Sequence, residues 1–307
     1  MEDKIYDLAI LGAGPAGICA AIYAARAKMD VIWLDKKFVQ GGQIVDTYEV
    51  DNYPGLPGIT GLDLGEAMAG HAEKLGLKPK REPVRSVSVE DGVKVIRTKK
   101  NEYHAKTVII ACGAAHRHLG LPGEEELGGM GVSYCATCDA AFFQERTVAV
   151  IGGGNVAVED AILLSRTCKK VYVVHRRDEL RAEKILQDSL AACHNVEIVW
   201  DSVPEAVEGV DKVEALKVRN VKTDEETDIP VDGVFIAVGI VPGTEQFRNL
   251  VEIDESGYIV AGEDGVTSTP GIFAAGDIRT KNLRQVVTAV ADGANAVASA
   301  RHYLMEH

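Results

Sequence analysis

The chain has 307 residues, 46% hydrophobic and 26% charged, with a formal net charge of -13. That length predicts two domains of ordinary size with ample core, and the composition is that of a globular protein in water. The acidity excludes a basic nucleic-acid stripe, no apolar run reaches the ~18 residues of a membrane span, and cysteine is too sparse for a secreted disulfide scaffold. Met1-Glu2-Asp3-Lys4 leads straight into a strand without a signal-peptide pattern, so the cytoplasm is the expected compartment.

Tyr6 to Leu11 reads as a buried strand, a short apolar run that ends at a Gly-rich turn. Ala16 to Ala27 is Ala-rich and helical, and Val31 to Asp35 is the next strand. This strand–loop–helix–strand unit requires parallel strands. Further β-like stretches follow at Arg85 to Glu90, Val93 to Thr98 and Thr107 to Ala111. The opening pattern then recurs at Thr147 to Ile151, Asn155 to Thr167 and Val171 to Val174. In both copies the residue ending the second strand lies 23 positions after the first Gly: 35 − 12 and 175 − 152. Val213 to Val221 and Val231 to Val238 are expected strands. After the strand Gly271 to Ala275, the tail has a Gly276-Asp277 turn and a helix from about Gln285 to Tyr303. Crossings between domains are expected near Gly113 to Leu119 and Val241 to Phe247.

The first loop, Gly12-Ala13-Gly14-Pro15-Ala16-Gly17, follows a strand and opens a helix, the context that gives G-x-G-x-x-G its meaning. Gly12 permits the turn, Gly14 lets backbone approach a pyrophosphate, and Gly17 lets helix and strand pack closely. The helix N-terminus then faces the phosphates with free N–H groups. Asp35 is placed to accept hydrogen bonds from ribose hydroxyls. The loop alone does not separate FAD from NAD. Gly276-Asp277 would bring a carboxylate to a flavin's ribityl chain, and so return the chain's end to its start. The second loop, Gly152-Gly153-Gly154-Asn155-Val156-Ala157, keeps the glycines at 152 and 154. Where the first copy has Asp35, the second has His175-Arg176-Arg177, followed a turn later by Arg181, in the manner of a basic helix start. Guanidinium forks suit a 2′-phosphate, so NADPH is the predicted ligand.

Cys135-Ala136-Thr137-Cys138-Asp139 precedes Gly152 by only 14 residues, 152 − 138. A C-x-x-C is half a zinc site, a redox pair or chance. No second C-x-x-C or His-x-x-x-His completes a four-ligand zinc site, and the nucleotide loop beside the pair favours redox chemistry. If the pair begins a helix, the helix end favours the thiolate. Asp139 would be a general acid–base for a departing thiolate, a helix cap, or both. Cys19, Cys112, Cys168 and Cys193 read as small hydrophobes. Phe142 and Phe143 read equally as partner surface and as core.

With these motifs in place, the whole chain resembles the low-molecular-weight, bacterial-type thioredoxin reductases. The match runs through Gly12 to Gly17, Gly41-Gly42-Gln43, Asn52-Tyr53-Pro54-Gly55, Cys135 to Asp139, Gly152 to Glu159, His175 to Asp178 with Arg181, Gly276-Asp277 and Arg284-Gln285. The resemblance implies an α/β fold of pyridine nucleotide–disulfide oxidoreductase type with two Rossmann-like dinucleotide-binding domains. The FAD domain would be discontinuous, over residues 1–114 and 246–307, with an NADPH domain at 115–245 that carries the C-x-x-C. FAD contacts would fall on Gly12, Gly14, Pro15, Ala16, Gly17, Asp35, Gly42, Gln43, Asn52, Gly276, Asp277, Arg284, Gln285 and Val286. NADPH contacts would fall on Gly152, Gly154, Asn155, Val156, Glu159, His175, Arg176, Arg177 and Arg181. Electrons would pass from NADPH through FAD to the Cys135–Cys138 pair and on to thioredoxin's disulfide. Cys138 would lie next to the flavin and Cys135 would attack the substrate, with a hinge rotation of the NADPH domain between the steps. The family is homodimeric and binds no metal for this reaction.

This chain departs from the common pattern at Cys112, where Thr is usual, at Ala140, where Gly is usual, and at Gly243, where Asn is frequent. Glu66 to Gly70, a segment that can face thioredoxin in the family, carries small side chains. The competing reading is a related flavoprotein reductase of another dithiol acceptor, a peroxiredoxin-system or glutaredoxin-like protein. A nonenzymatic NADPH-binding redox sensor is the alternative from a different class.

Overall fold

A computed structural model describes residues 4–47 and 49–307. The segment Met1-Glu2-Asp3 lies outside the described residues. The chain divides into two compact units, Met1–Ala115 with Val241–His307, and His116–Ile240.

In chain order the first unit begins with β1 (Ile5–Leu11), α1 (Pro15–Arg26), β2 (Val31–Asp35), α2 (Gly61–Lys74), β3 (Lys80–Arg81), β4 (Val84–Glu90), β5 (Val93–Thr98) and β6 (Glu102–Ile110). β7 (Ala114–His116) leads into the second unit. That unit holds β8 (Val132–Ser133), α3 (Ala136–Asp139), β9 (Thr147–Ile151), α4 (Asn155–Ser165), β10 (Lys170–Val174), α5 (Lys184–Ala191) and β11 (Val196–Val199). It continues through β12 (Ser202–Gly209), β13 (Val213–Asn220), β14 (Glu226–Pro230) and β15 (Gly233–Ile236). β16 (Ile240–Pro242) returns the chain to the first unit, where β17 (Ile272–Ala274) and α6 (Val286–Glu306) complete it.

The first unit is built on a sheet ordered β3-β2-β1-β6-β5-β4, with β17 also on β6. β6 serves two neighbours on one side. Residues Glu102–Ala105 pair antiparallel with β5, and Val108–Ile110 pair parallel with β17. From Leu8 to Leu11 β1 is buried on both faces, which explains the unbroken apolar run there. Leu8 and Ile10 pack among the alanines of α1 and α6, while Ala9 and Leu11 face Val108, Ile110, Phe247 and Ile272. The alanines let helices lie close to the sheet and to each other.

In the second unit β11-β10-β9-β15-β8 form a wholly parallel sheet. β12, β13 and β14 form a separate antiparallel ribbon. The repeated units β1-α1-β2 and β9-α4-β10 match in backbone as well as in spacing. Gly14 and Gly154 cap α1 and α4 with the same extended ψ of -177° and no side-chain cap. α/β architecture with two dinucleotide-type folds is thus present. One expectation needs correction. Thr107 to Ala111 is the end of a longer strand that begins at Glu102 and stops at Ile110. The bland alternative for Arg176 and Arg177, a solvated basic helix start, is not what the backbone shows: the segment to Glu183 is irregular and α5 opens at Lys184.

Candidate active site

The dithiol occupies the connection from β8 to β9. Cys135 is the N-cap of α3 and is disulfide-bonded to Cys138, with Cα atoms 5.3 Å apart. The Cys138 N–H points back at Cys135 Sγ, 3.2 Å away. The Asp139 N–H donates to the Cys135 carbonyl at 3.1 Å. Both cysteines are half-buried, and Thr137 between them is exposed. Asp139 closes the turn. Burial pushes its carboxyl above the ordinary aspartate value, opposed by a hydrogen bond from Ser133. Ser133 is a site residue that the sequence reading passed over. A lone serine two positions before a C-x-x-C carries no signal without its contacts. Phe143 is core, buried against Phe235, whereas Phe142 is exposed.

The first Gly loop has the shape its sequence predicts. Gly12 sits at φ +111°, and a Cβ there would lie 2.3 Å from the Ala111 carbonyl oxygen, so only glycine fits. Around it stand the other expected residues. Asp35 ends β2, accepts the Lys36 N–H at 2.8 Å, and is held above the usual carboxylate range by burial. The Gln43 amide donates to the Ala114 carbonyl. Asn52 donates to Gln285 Oε1 at 2.9 Å, and Gln285 caps α6 through a reciprocal bond with Thr288. Val286, in the first turn of α6, packs on the small cluster of Ile44, Val50 and Leu64.

Among the described residues of this unit, two buried polar atoms have no hydrogen-bond partner: Asp277 Oδ1 and Arg284 Nε. Orphaned buried polar groups are costly and call for a ligand. Burial raises the Asp277 carboxyl, and the Arg284 guanidinium lies 3.9 Å over the Tyr258 ring. These atoms, with the Gly12 cradle, fit a flavin dinucleotide in polarity and in shape.

Behind Gly276-Asp277 lies a buried ion triad. Asp292 takes two bonds from Arg279, at 2.8 and 2.6 Å, and one from Lys281 at 2.8 Å, and it accepts the Gly276 N–H at 2.9 Å. Burial alone would raise the Asp292 carboxyl, but Arg279 and Lys281 pull it below the ordinary value. Removing this one anion leaves two buried cations. Asp292→Ala is therefore expected to destabilise the protein by roughly 3–5 kcal/mol, read as a lower urea midpoint. Because the folded carboxyl is depressed, the triad's contribution is complete above the unfolded aspartate value and is lost as pH falls through the folded one. The wild type should lose this part of its stability in acid, and the variant should lack that dependence.

In the second unit Gly152, at φ +153°, turns the chain and Gly154 opens α4. Gly153 has a separate reason. A Cβ there would lie 2.3 Å from the His175 ring, which is buried beneath the loop and packs edge-on to Trp200. The first copy carries Ala13 at the matching place. Burial lowers the His175 pKa and keeps the ring neutral; its Nε2 has no partner. Arg176, Arg177 and Arg181 are exposed, and the Arg181 N–H donates to the Gly153 carbonyl at 2.7 Å, which brings that residue to the loop despite the missing helical turn. The Asn155 amide is engaged at both ends by Glu183, at 3.1 and 2.8 Å. Val156 and Glu159 are exposed on α4. A glycine loop at a helix start, beside three exposed guanidiniums, fits a phosphorylated dinucleotide.

Residues 6–293 match the model of the pyridine nucleotide-disulphide oxidoreductases. The chain is 47% identical over 306 residues to a thioredoxin reductase of Listeria monocytogenes, covering 99% of this chain and 96% of the relative. It is 44% identical over 306 residues to that of Bacillus subtilis, with the same two coverages. The crystal structure of thioredoxin reductase from Streptococcus pyogenes superposes with a TM-score of 0.95 at 45% identity, covering 100% of both chains. With its disulfide placed just ahead of a nucleotide loop, this chain belongs to the pyridine nucleotide-disulphide oxidoreductase family and, within it, to the thioredoxin reductases.

Proposed function

We propose that this chain is an NADPH-dependent, FAD-containing thioredoxin-disulfide reductase. The observation that carries the reading is the Cys135–Cys138 disulfide at a helix start, followed by a carboxyl whose proton affinity burial raises. In this reading the unit with Gly12, Asp35 and Asp277 holds FAD, and the unit with Gly152, Arg176, Arg177 and Arg181 holds NADPH. When bound, these groups supply the electron pair that opens the disulfide.

The chain's own residues then carry out thiol–disulfide exchange. Cys135 is the attacking thiolate, and the Cys138 N–H at 3.2 Å from its sulfur supports that charge. Attack on the partner's disulfide forms a mixed disulfide and releases one partner thiolate. Cys138 then attacks Cys135 Sγ, the bond to the partner breaks, and the internal disulfide re-forms. Each departing sulfur needs a proton, and Asp139 is the adjacent carboxyl with a raised proton affinity.

Among the described residues no helix is long and apolar enough to cross a membrane. The reading takes the enzyme as a cytoplasmic homodimer; sedimentation at the mass of one chain would remove the dimer from it. The central experiment is steady-state NADPH oxidation with a panel of thioredoxins and glutaredoxins, with NADH as control. Turnover with thioredoxin and NADPH is expected. Turnover with glutaredoxin alone would reject the acceptor while keeping the dithiol chemistry.

A further inference from the structure

Ser133 ends β8, two residues before Cys135, and only 5% of it is exposed. Its hydroxyl is a junction. It accepts the Cys135 backbone N–H at 3.1 Å, lies 2.5 Å from Asp139 Oδ2, and lies 3.5 Å from the Cys135 carbonyl oxygen. A hydroxyl has one proton and two lone pairs. When Asp139 is a carboxylate, Ser133 donates to Oδ2. When Asp139 is protonated, its O–H donates to Ser133 Oγ, and the serine proton turns to the Cys135 carbonyl. The Cys135 N–H keeps its acceptor in both states. Asp139 thus gains or loses a proton without leaving a buried polar group unpaired. An alanine serves neither state.

We infer that Ser133 is a positioning residue for the dithiol step: it holds Asp139 in one place through both protonation states, so that this carboxyl protonates the sulfur that leaves. The inference rests on the exchange chemistry proposed above and deepens it. In the second exchange the Cys138 thiolate attacks Cys135 Sγ and the bond from Cys135 to the partner breaks. The partner's sulfur leaves with the electron pair and takes the proton of Asp139. Ser133 reverses its hydrogen bond as the carboxylate forms. The partner's disulfide is the oxidant, and no other reactant is needed.

Other titratable groups near Asp139 are few. α3 packs on α4, which carries the exposed Glu159 and the Asp160 carboxyl, pushed up to about 7 by burial and then by Glu159. Arg166 caps the far end of α4. The turn after α3 is Ala140-Ala141-Phe142-Phe143 and has no titratable side chain. Tyr134, beside Ser133, gives its hydroxyl to Glu124 at 2.6 Å. Asp160 is a competing carboxyl in the neutral range among the described residues around α3, and it needs its own control.

The test uses the holoenzyme reduced with NADPH in the absence of oxygen and mixed with the small disulfide cystamine. The rate of thiol oxidation is followed from acid to alkaline pH. Wild type should show a limb that falls as pH rises through the titration of Asp139. That limb should vanish in Asp139→Asn and survive in Asp160→Asn. Ser133→Ala should lower the acid-side plateau by about ten-fold and move the limb to higher pH, because the bond opposing the effect of burial is gone. Ser133→Thr should restore both. Ser133→Ala combined with Asp139→Asn should be no slower than Asp139→Asn alone.

An unmoved limb in Ser133→Ala overturns the inference, as does a further ten-fold loss in the double variant. So does a wild-type profile without an Asp139-dependent limb. Flavin content and thermal midpoint report folding. If Ser133→Ala does not fold, Ser133→Cys, a weaker donor of similar volume, must move the limb in the same direction, and an unmoved limb there is equally decisive. Cystamine oxidation with the expected profile, in an enzyme inactive towards every thioredoxin, would reject the proposed acceptor and leave the role of Ser133 standing.

Discussion

Cys138→Ser is expected to lose thioredoxin-dependent NADPH oxidation by about a thousand-fold or more, while NADPH still bleaches the flavin absorbance. The two outcomes separate because the substitution removes the disulfide that would accept the electrons and the sulfur that resolves the exchange, but leaves both nucleotide loops untouched. The residue at 138 keeps its backbone N–H, which supports the Cys135 thiolate at 3.2 Å. Cys135 can therefore still attack a protein disulfide. What is missing is the second sulfur. A serine oxygen cannot displace the partner from Cys135, so the mixed disulfide should persist and run as a covalent adduct on a nonreducing gel. Retained thioredoxin turnover would show that electrons leave by some route other than this pair. Loss of flavin bleaching as well would place Cys138 earlier in the sequence of steps than proposed.

Replacing Arg176 and Arg177 together by alanine is expected to raise the KM for NADPH by about ten- to a hundred-fold, with little change in kcat and little change for NADH. The local charges explain the asymmetry. Arg176, Arg177 and Arg181 are exposed beyond β10, where Asp35 stands in the first copy. Asp178 would oppose a phosphate, but Lys222 holds it at 3.1 Å and lowers its carboxyl further below the ordinary value. His175 is buried and neutral, so it adds no cationic charge. In the proposed reading the guanidiniums would serve ground-state binding of an extra phosphate and nothing in the chemistry. An equal rise in KM for both cofactors would remove the 2′-phosphate assignment.

Much of the fold was legible because the informative signals are local. β2, β5 and β9 have the bounds expected from short apolar runs. The glycines that turn the chain before α1 and α4 and cap those helices are likewise local features. The tail helix was legible as well, although it runs on past Tyr303 to Glu306. α2, α5, β11, β12 and β14 were not read. β11 and β14 are edge strands of four and five residues, and α5 has only eight residues with Leu190 alone fully buried, so each is too short to stand out in the sequence. The segment from Arg176 to Glu183 is irregular for a specific reason: the Arg181 N–H is drawn to the Gly153 carbonyl, and Asn155 is clasped by Glu183. Those long-range bonds override the local preference of the segment.

The site divides in the same way. The C-x-x-C, the two glycine loops and the contrast between Asp35 and Arg176-Arg177 are read along one strand of sequence, because each works through neighbours a few residues apart. That is why the cysteine pair, its place near the second loop and the contrast on which the proposed choice of nucleotide rests belong to the sequence. Three features required the folded chain: Ser133 bridging Cys135 and Asp139, Gly153 making room for the ring of His175, and Asp292 neutralising Arg279 and Lys281 behind Asp277. Each depends on burial, which strips water from a polar group and makes its partner decisive, and no spacing in the sequence records which groups lose their water.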